Sequence, residues 1–102
     1  MIAGSGVKHV ARFWLRHPDD IVEVERRVGE LATIPQVIDL VAGPPLDSDW
    51  GRRIDKSYDV AFVMTFRTLE DCRAYFLDER HQRLAGELQD LAERVEAFYL
   101  RY

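Results

Sequence analysis

The chain has 102 residues, 47% of them apolar, with a net charge of -4 and a pI near 5.3. That length holds one domain with a modest core, and the composition excludes disordered and fibrous classes. The acidic balance argues against a non-specific nucleic-acid binder, which needs a basic face. A single cysteine, Cys72, cannot close an internal disulfide and fits a reducing compartment. No apolar run approaches the roughly 20 residues that cross a bilayer, and residues 1–6 lack the charged start and apolar stretch of a signal peptide. The expectation is a loose lead-in over 1–6, one domain over 7–102, and a cytoplasmic protein with no membrane or nucleic-acid partner.

Val7, His9, Ala11, Phe13 and Leu15 alternate with Lys8, Val10, Arg12, Trp14 and Arg16. This predicts a strand over 7–16 with His9 on its more apolar face. Pro18, Asp19 and Asp20 open a helix, the acids being well placed for its dipole, and Ile21, Val24, Val28 and Leu31 form its buried stripe. Residues 36–42 read as a second strand, stopped by Gly43, Pro44 and Pro45. A polar loop follows to residue 57 and holds Trp50, Arg52 and Arg53. It reads as a solvated loop or as a clasp for an anionic ligand. Residues 58–67 form a third strand, apolar on both faces through Tyr58, Val60, Phe62, Met64 and Phe66 on one side and Ala61 and Val63 on the other. Such a strand belongs in the middle of a sheet.

Thr68 with Asp71 has the form of a capping box, and Leu69, Cys72 and Phe76 recur on one face of the helix it would open, 68–77. Asp78 can cap a second start, placing His81 in the first turn of a long helix over 79–94 with Leu84, Leu88, Leu91 and Val95 as its stripe. A helix N-terminus disfavours imidazolium, so His81 is expected to stay neutral. Residues 97–102 close the chain as a fourth strand. The order β-α-β-β-α-β is the α+β, ferredoxin-like arrangement: a four-stranded antiparallel sheet with helices on one face. Val10, Trp14, Ala61 and Val63 leave the other face partly apolar, which predicts a homodimer with its sheets packed face to face.

Each candidate side chain has a plainer reading. His9 suits either a pocket or a hydrogen-bonded place in the core. Tyr75 suits either a cavity or a core whose edge its hydroxyl reaches, and His81 could stand on a helix surface beside Arg80 and Gln82. His9, His17 and His81 lack metal-site spacing, and neither a phosphate-cradling glycine loop nor a serine elbow is present.

The chain resembles the stress-responsive A/B barrel (Dabb) family, a branch of the dimeric α+β barrel superfamily. The likeness is carried by Val7-Lys8-His9, by Tyr58-Asp59 with the seven residues that follow it, and by Ala74-Tyr75 with His81 and Leu84. It implies a dimeric barrel with a small pocket between each sheet and its helices. A plant polyketide cyclase of this family works without metal or cofactor through a Tyr and His pair, which this sequence matches at Tyr75 and His81, with His9 as a pocket histidine. The pocket so implied is bounded by His9, Ala11 and Phe13 of the first strand, Phe62 of the third and Leu84 of the long helix. His81 would be the general base and Tyr75 the hydrogen-bond donor to an enolate oxygen. Val60 stands where the cyclase has a second histidine, and Asp78-Glu79 where a His-Pro pair is common. These departures leave the substrate open. The resemblance therefore admits a cofactor-free cyclase or isomerase, a small-molecule binder without chemistry, a structural dimer with no pocket, or an oxygen-using or heme-degrading relative.

Overall fold

The computed structural model describes residues 4–47, 49 and 54–102; Trp50, Arg52 and Arg53, the proposed clasp, lie outside them. The elements run β1 (Val7–Leu15), a 3-10 turn (Pro18–Asp20), α1 (Ile21–Leu31), β2 (Val37–Gly43), β3 (Val60–Phe66), α2 (Leu69–Leu77), α3 (Glu79–Leu91) and β4 (Ala92–Arg101). The strands form one antiparallel sheet in the order β2-β3-β1-β4. This is the ferredoxin-like α+β fold, and β3, apolar on both faces, is an interior strand as its pattern requires. Among the described residues no helix is long and apolar enough to cross a membrane.

The alternation of β1 and β3 sorts their side chains between two environments. Val7, Ala11, Phe13 and Leu15 of β1 and Val60, Phe62, Met64 and Phe66 of β3 are buried under the helices. They meet Val24, Val28 and Leu31 of α1, Cys72 and Tyr75 of α2, and Leu84 and Leu88 of α3 in one core. Ile34, in the α1–β2 connection, is fully buried and ties that corner to it. On the opposite face, register aligns Val41, Val63, Val10 and Phe98 in a single row across all four strands. Among the described residues no helix covers this row, and Val41 is 64% and Phe98 53% exposed.

Several boundaries and faces differ from the sequence reading. The long helix ends at Leu91 rather than 94, and β4 begins at Ala92. Leu91 and Val95 are four apart and mimic a helical stripe, but residues 92–96 gain ladder bonds along the full length of β1 by extending, up to Leu15 opposite Ala92. The Leu91 carbonyl accepts from the Arg16 N–H to close that corner. The third strand starts at Val60 because Asp59 is used otherwise: its N–H donates to the Phe13 carbonyl and its carboxylate accepts from the Leu15 N–H at 2.7 Å. Leu69 is exposed, and Tyr75 takes the inward face of α2 beside Cys72. Gly6, read as part of a loose lead-in, exchanges both backbone hydrogen bonds with Tyr102. A Cβ there would fall 2.3 Å from the Tyr102 ring, so the β1–β4 ladder continues one pair further through a residue without a side chain.

Two substitutions separate packing from capping. Leu84→Ala should cost about 2–5 kcal/mol by leaving a cavity in the core, and Thr68→Ala about 1 kcal/mol by removing the acceptor for the Asp71 N–H. Urea unfolding monitored by circular dichroism checks both.

Candidate functional site

The chain turns sharply between α2 and α3, and one residue makes the turn. Asp78 is extended (φ -67, ψ 132), donates its N–H to the Tyr75 carbonyl, and accepts the Arg80 N–H on its carboxylate at 2.8 Å. It thus ends one helix and caps the next. The Arg80 guanidinium adds two further bonds and holds the Asp78 carboxyl at about 2. Folded this way, the end of α2 and the first turn of α3 bring Tyr75, Phe76 and His81 together. The Tyr75 and His81 rings lie 4.5 Å apart between centroids, and those of Phe76 and His81 lie 5.0 Å apart, edge to face.

The His81 Nδ1 lies 3.2 Å from the Phe76 carbonyl oxygen. A carbonyl only accepts, so Nδ1 carries a proton, and in the neutral ring the lone pair is then on Nε2. Burial lowers the His81 pKa, against the opposing pulls of the Phe76 carbonyl and of Asp78. The ring is therefore a neutral base. Its neutrality comes first from burial, where the sequence reading assigned it to the helix N-terminus. Tyr75 is 1% exposed and packs on Phe66 and Phe76. Burial pushes its phenol well above the usual tyrosine value, helped by Tyr99 and Cys72. Such a phenol keeps its proton and is available as a hydrogen-bond donor. Burial likewise raises the Cys72 thiol, which suits a packing role.

These rings form one end of a cavity of about 250 Å³ between the sheet and the helices. An apolar cavity of about 150 Å³ holds benzene, so this one has room for a ring and a short chain. Of the residues expected at a pocket, His9, Ala11, Phe13, Phe62, Tyr75 and His81 all line it. Leu84 does not: it is 1% exposed and belongs to the core beneath α3. His9 stacks on Tyr99 at 4.3 Å with its edge toward Phe62. Its Nδ1 is buried with no hydrogen-bond partner among the described residues. Burial lowers its pKa to about 4, with the Phe98 backbone opposing and His81 assisting.

Sequence reasoning missed the cavity's other wall. Val95, Ala97 and Tyr99 face it from β4, each opposite an inward residue of β1: Phe13, Ala11 and His9. Starting the fourth strand at Ala92 would have exposed that alternation. Ala85 and Gln89 also line it, each one helical step further along α3 from His81. Among the described residues no three His, Cys, Asp or Glu side chains converge as metal ligands would.

A ferredoxin-like sheet with a cavity beneath its helices and a Tyr and His pair at one end defines the class of protein. The family model for the Stress responsive A/B Barrel Domain matches residues 7–99, so the chain belongs to that family. No curated protein matches it. Among solved structures it is similar to a dimeric ferredoxin-like protein of unknown function from Thermobifida fusca, at 23% identity and TM-score 0.76, covering 100% of this chain and 95% of that one. It is also similar to the hydroxynitrile lyase of Passiflora edulis, at 19% identity and TM-score 0.83, with 96% and 94% covered. A third similar structure is SnoaB, a cofactor-independent oxygenase from Streptomyces nogalater, at 15% identity and TM-score 0.71, with 95% and 92% covered.

The two cavity histidines make stability depend on pH in a defined direction. Their folded pKa values lie below the ordinary 6.5, so the unfolded chain takes up protons first as pH falls. Their contribution is complete above about pH 6.5 and, for His9, is lost as pH falls through about 4. The loss from His9 is on the order of 3 kcal/mol. Urea unfolding between pH 7 and 4 should show this slope, and His9→Phe should flatten most of it.

Proposed function

We propose that the protein is a homodimer that binds a small organic ligand, a polyketide-like or aromatic carbonyl compound, in the cavity and acts on it without metal or cofactor. The observation that carries this reading is the His81 Nδ1 bond to the Phe76 carbonyl, which leaves the other ring nitrogen as a free base beside the Tyr75 phenol. In the proposed step, His81 Nε2 removes a proton from the carbon next to the ligand carbonyl. The C–H pair becomes the enolate double bond, the carbonyl π pair moves to oxygen, and the Tyr75 O–H donates a hydrogen bond to that oxygen. The enolate carbon then attacks a second carbonyl of the same molecule and the first carbonyl re-forms. The second one's π pair moves to its oxygen, which takes the proton back from His81, giving cyclisation; or a different carbon of the enolate system regains that proton, giving isomerisation. His9, Ala11, Phe13 and Phe62 would hold the apolar body of the ligand. That two structural relatives are a hydroxynitrile lyase and a cofactor-independent oxygenase supports a catalytic role on this fold. The open cavity counts against a structural dimer with a filled core.

The dimer half of the reading rests on the uncovered sheet face. The row Val41, Val63, Val10 and Phe98 is apolar from one sheet edge to the other, and a twofold copy would bury it against itself. The ends of that face are polar: Lys8 donates to Thr65 at one, and Arg12 pairs with Asp55 and Glu96 at the other.

A ligand from a panel of polyketones and phenolic acids should raise the melting temperature saturably. The gain is about 2.7 kcal/mol of stability at a hundredfold excess over Kd. In a turnover assay on that ligand, His81→Ala should lower kcat by roughly 10²- to 10⁴-fold, and Tyr75→Phe should lower it while leaving binding largely intact. Equal turnover by wild type and His81→Ala would remove His81 from the chemistry. For the dimer, Val63→Glu should give a monomer in sedimentation velocity where the wild type sediments as two copies.

A further inference from the structure

The cavity is a cleft with one closed and one open side. Its inner wall, Ala11, Phe13, Phe62, Tyr75 and Leu88, is buried. Its rim is not. His81 and Ala85 of α3 are half-buried and Gln89 is exposed, while on β4 Val95 is 40% and Tyr99 47% exposed. The mouth therefore runs lengthwise between α3 and the edge strand β4. Small side chains make its middle. Ala11 and Ala97 are paired in register on the floor, and Ala85 lines the cavity from α3. Larger groups bound this slot on the floor, the His9–Tyr99 stack on one side and Phe13 with Val95 on the other.

The polar groups of the cleft sit at its two ends. His81, Tyr75, His9 and Tyr99 cluster around Phe76 at one end. At the other stands Gln89, eight residues further along α3, which is about 12 Å along the helix axis. Its side-chain amide makes no hydrogen bond within the described residues, whereas Arg83 and Glu87 on the neighbouring face of α3 are paired. A carboxamide offers both a donor and an acceptor.

We infer that the cleft takes a flat, elongated aryl ketone whose carbonyl lies at Tyr75 and His81, whose ring fills the slot bounded by Ala11, Ala85 and Ala97, and whose distal hydroxyl is held by Gln89. Gln89 is thus a specificity-determining residue for the ligand proposed above, and the inference rests on that reading. The slot suits a planar body because three alanines, Ala11, Ala85 and Ala97, line it between the larger groups. The distal amide selects for a ligand with polarity at both ends.

A matched pair of probes tests this by isothermal titration calorimetry: para-hydroxybenzylacetone, which carries a ketone and a phenol at opposite ends, and benzylacetone, which lacks the phenol. Wild type should bind the hydroxylated ketone roughly fivefold more tightly, the worth of one hydrogen bond. Gln89→Leu should weaken only that compound and bring the ratio to about one. Ala97→Leu, which sends a larger side chain into the slot, should abolish binding of both while the melting temperature stays near that of wild type. Binding of both ketones with the same ratio in wild type and Gln89→Leu would overturn the role of Gln89 and leave the Tyr75 and His81 reading standing. Tight binding of both ketones to Ala97→Leu would overturn the slot. No binding of either ketone to wild type would overturn this inference and the aryl-ketone ligand reading together.

Discussion

The site depends on the single extended residue between α2 and α3. Were the helix continuous through Asp78, Tyr75 and His81 would be six residues apart on one rod and would point in different directions. The break folds α3 back so that the last turn of α2 presents a carbonyl, that of Phe76, to the first turn of its neighbour. A helix C-terminus leaves its last carbonyls without intrahelical partners. Here one of those carbonyls is used to set the tautomer of a histidine. Asp78 stabilises the arrangement from both sides, and Arg80 keeps its carboxylate ionised well into acid. Cap, carbonyl and imidazole are therefore one unit, and what the cavity can do chemically follows from it.

The rest of the cleft follows from sheet order. With β4 at the edge and only β1 beside it, the helices centre over β1 and β3, where the large inward residues lie. The inner face of β4 is left partly uncovered. A chain with bulky residues at positions 85 and 97 would fill that gap and extend the core. Alanine at both leaves an opening instead. The apolar row on the other face has a similar origin: α1, α2 and α3 share one side of the sheet, so the alternation of β1 and β3 leaves Val10 and Val63 with no helix over them among the described residues.

Most of the fold was legible because its signals are local. Alternation in β1 and β3, the caps at Thr68 and Asp78, and the element order each needed only neighbouring residues, and together they specify a ferredoxin-like sheet. The pair Tyr75 and His81 was legible through resemblance and through the predicted break between helices. What was not legible required long-range pairing. The start of β4 is decided by the length of β1, more than seventy residues earlier in the chain, so a stripe through Leu91 and Val95 read as helix. Misplacing that boundary put Val95 in a helix and left Ala97 and Tyr99 of the fourth strand without an assigned face. Leu84 read as a pocket residue because helical spacing tells which face is inward but not whether the inward face meets core or cavity. Gln89 gives no signal at all in the sequence, since an exposed glutamine on a helix is ordinary.

Nitrogen-15 NMR of the histidine rings across a pH titration tests directly whether His81 is a neutral base with its proton held on Nδ1. His81 should show the chemical-shift pattern of an Nδ1-protonated neutral ring and a titration midpoint below 6.5, with the midpoint moving toward the ordinary value in a variant that opens the cavity to water. An Nε2-protonated ring, or a midpoint at or above 6.5, would contradict it, because the nitrogen assigned to the ligand would then carry a proton.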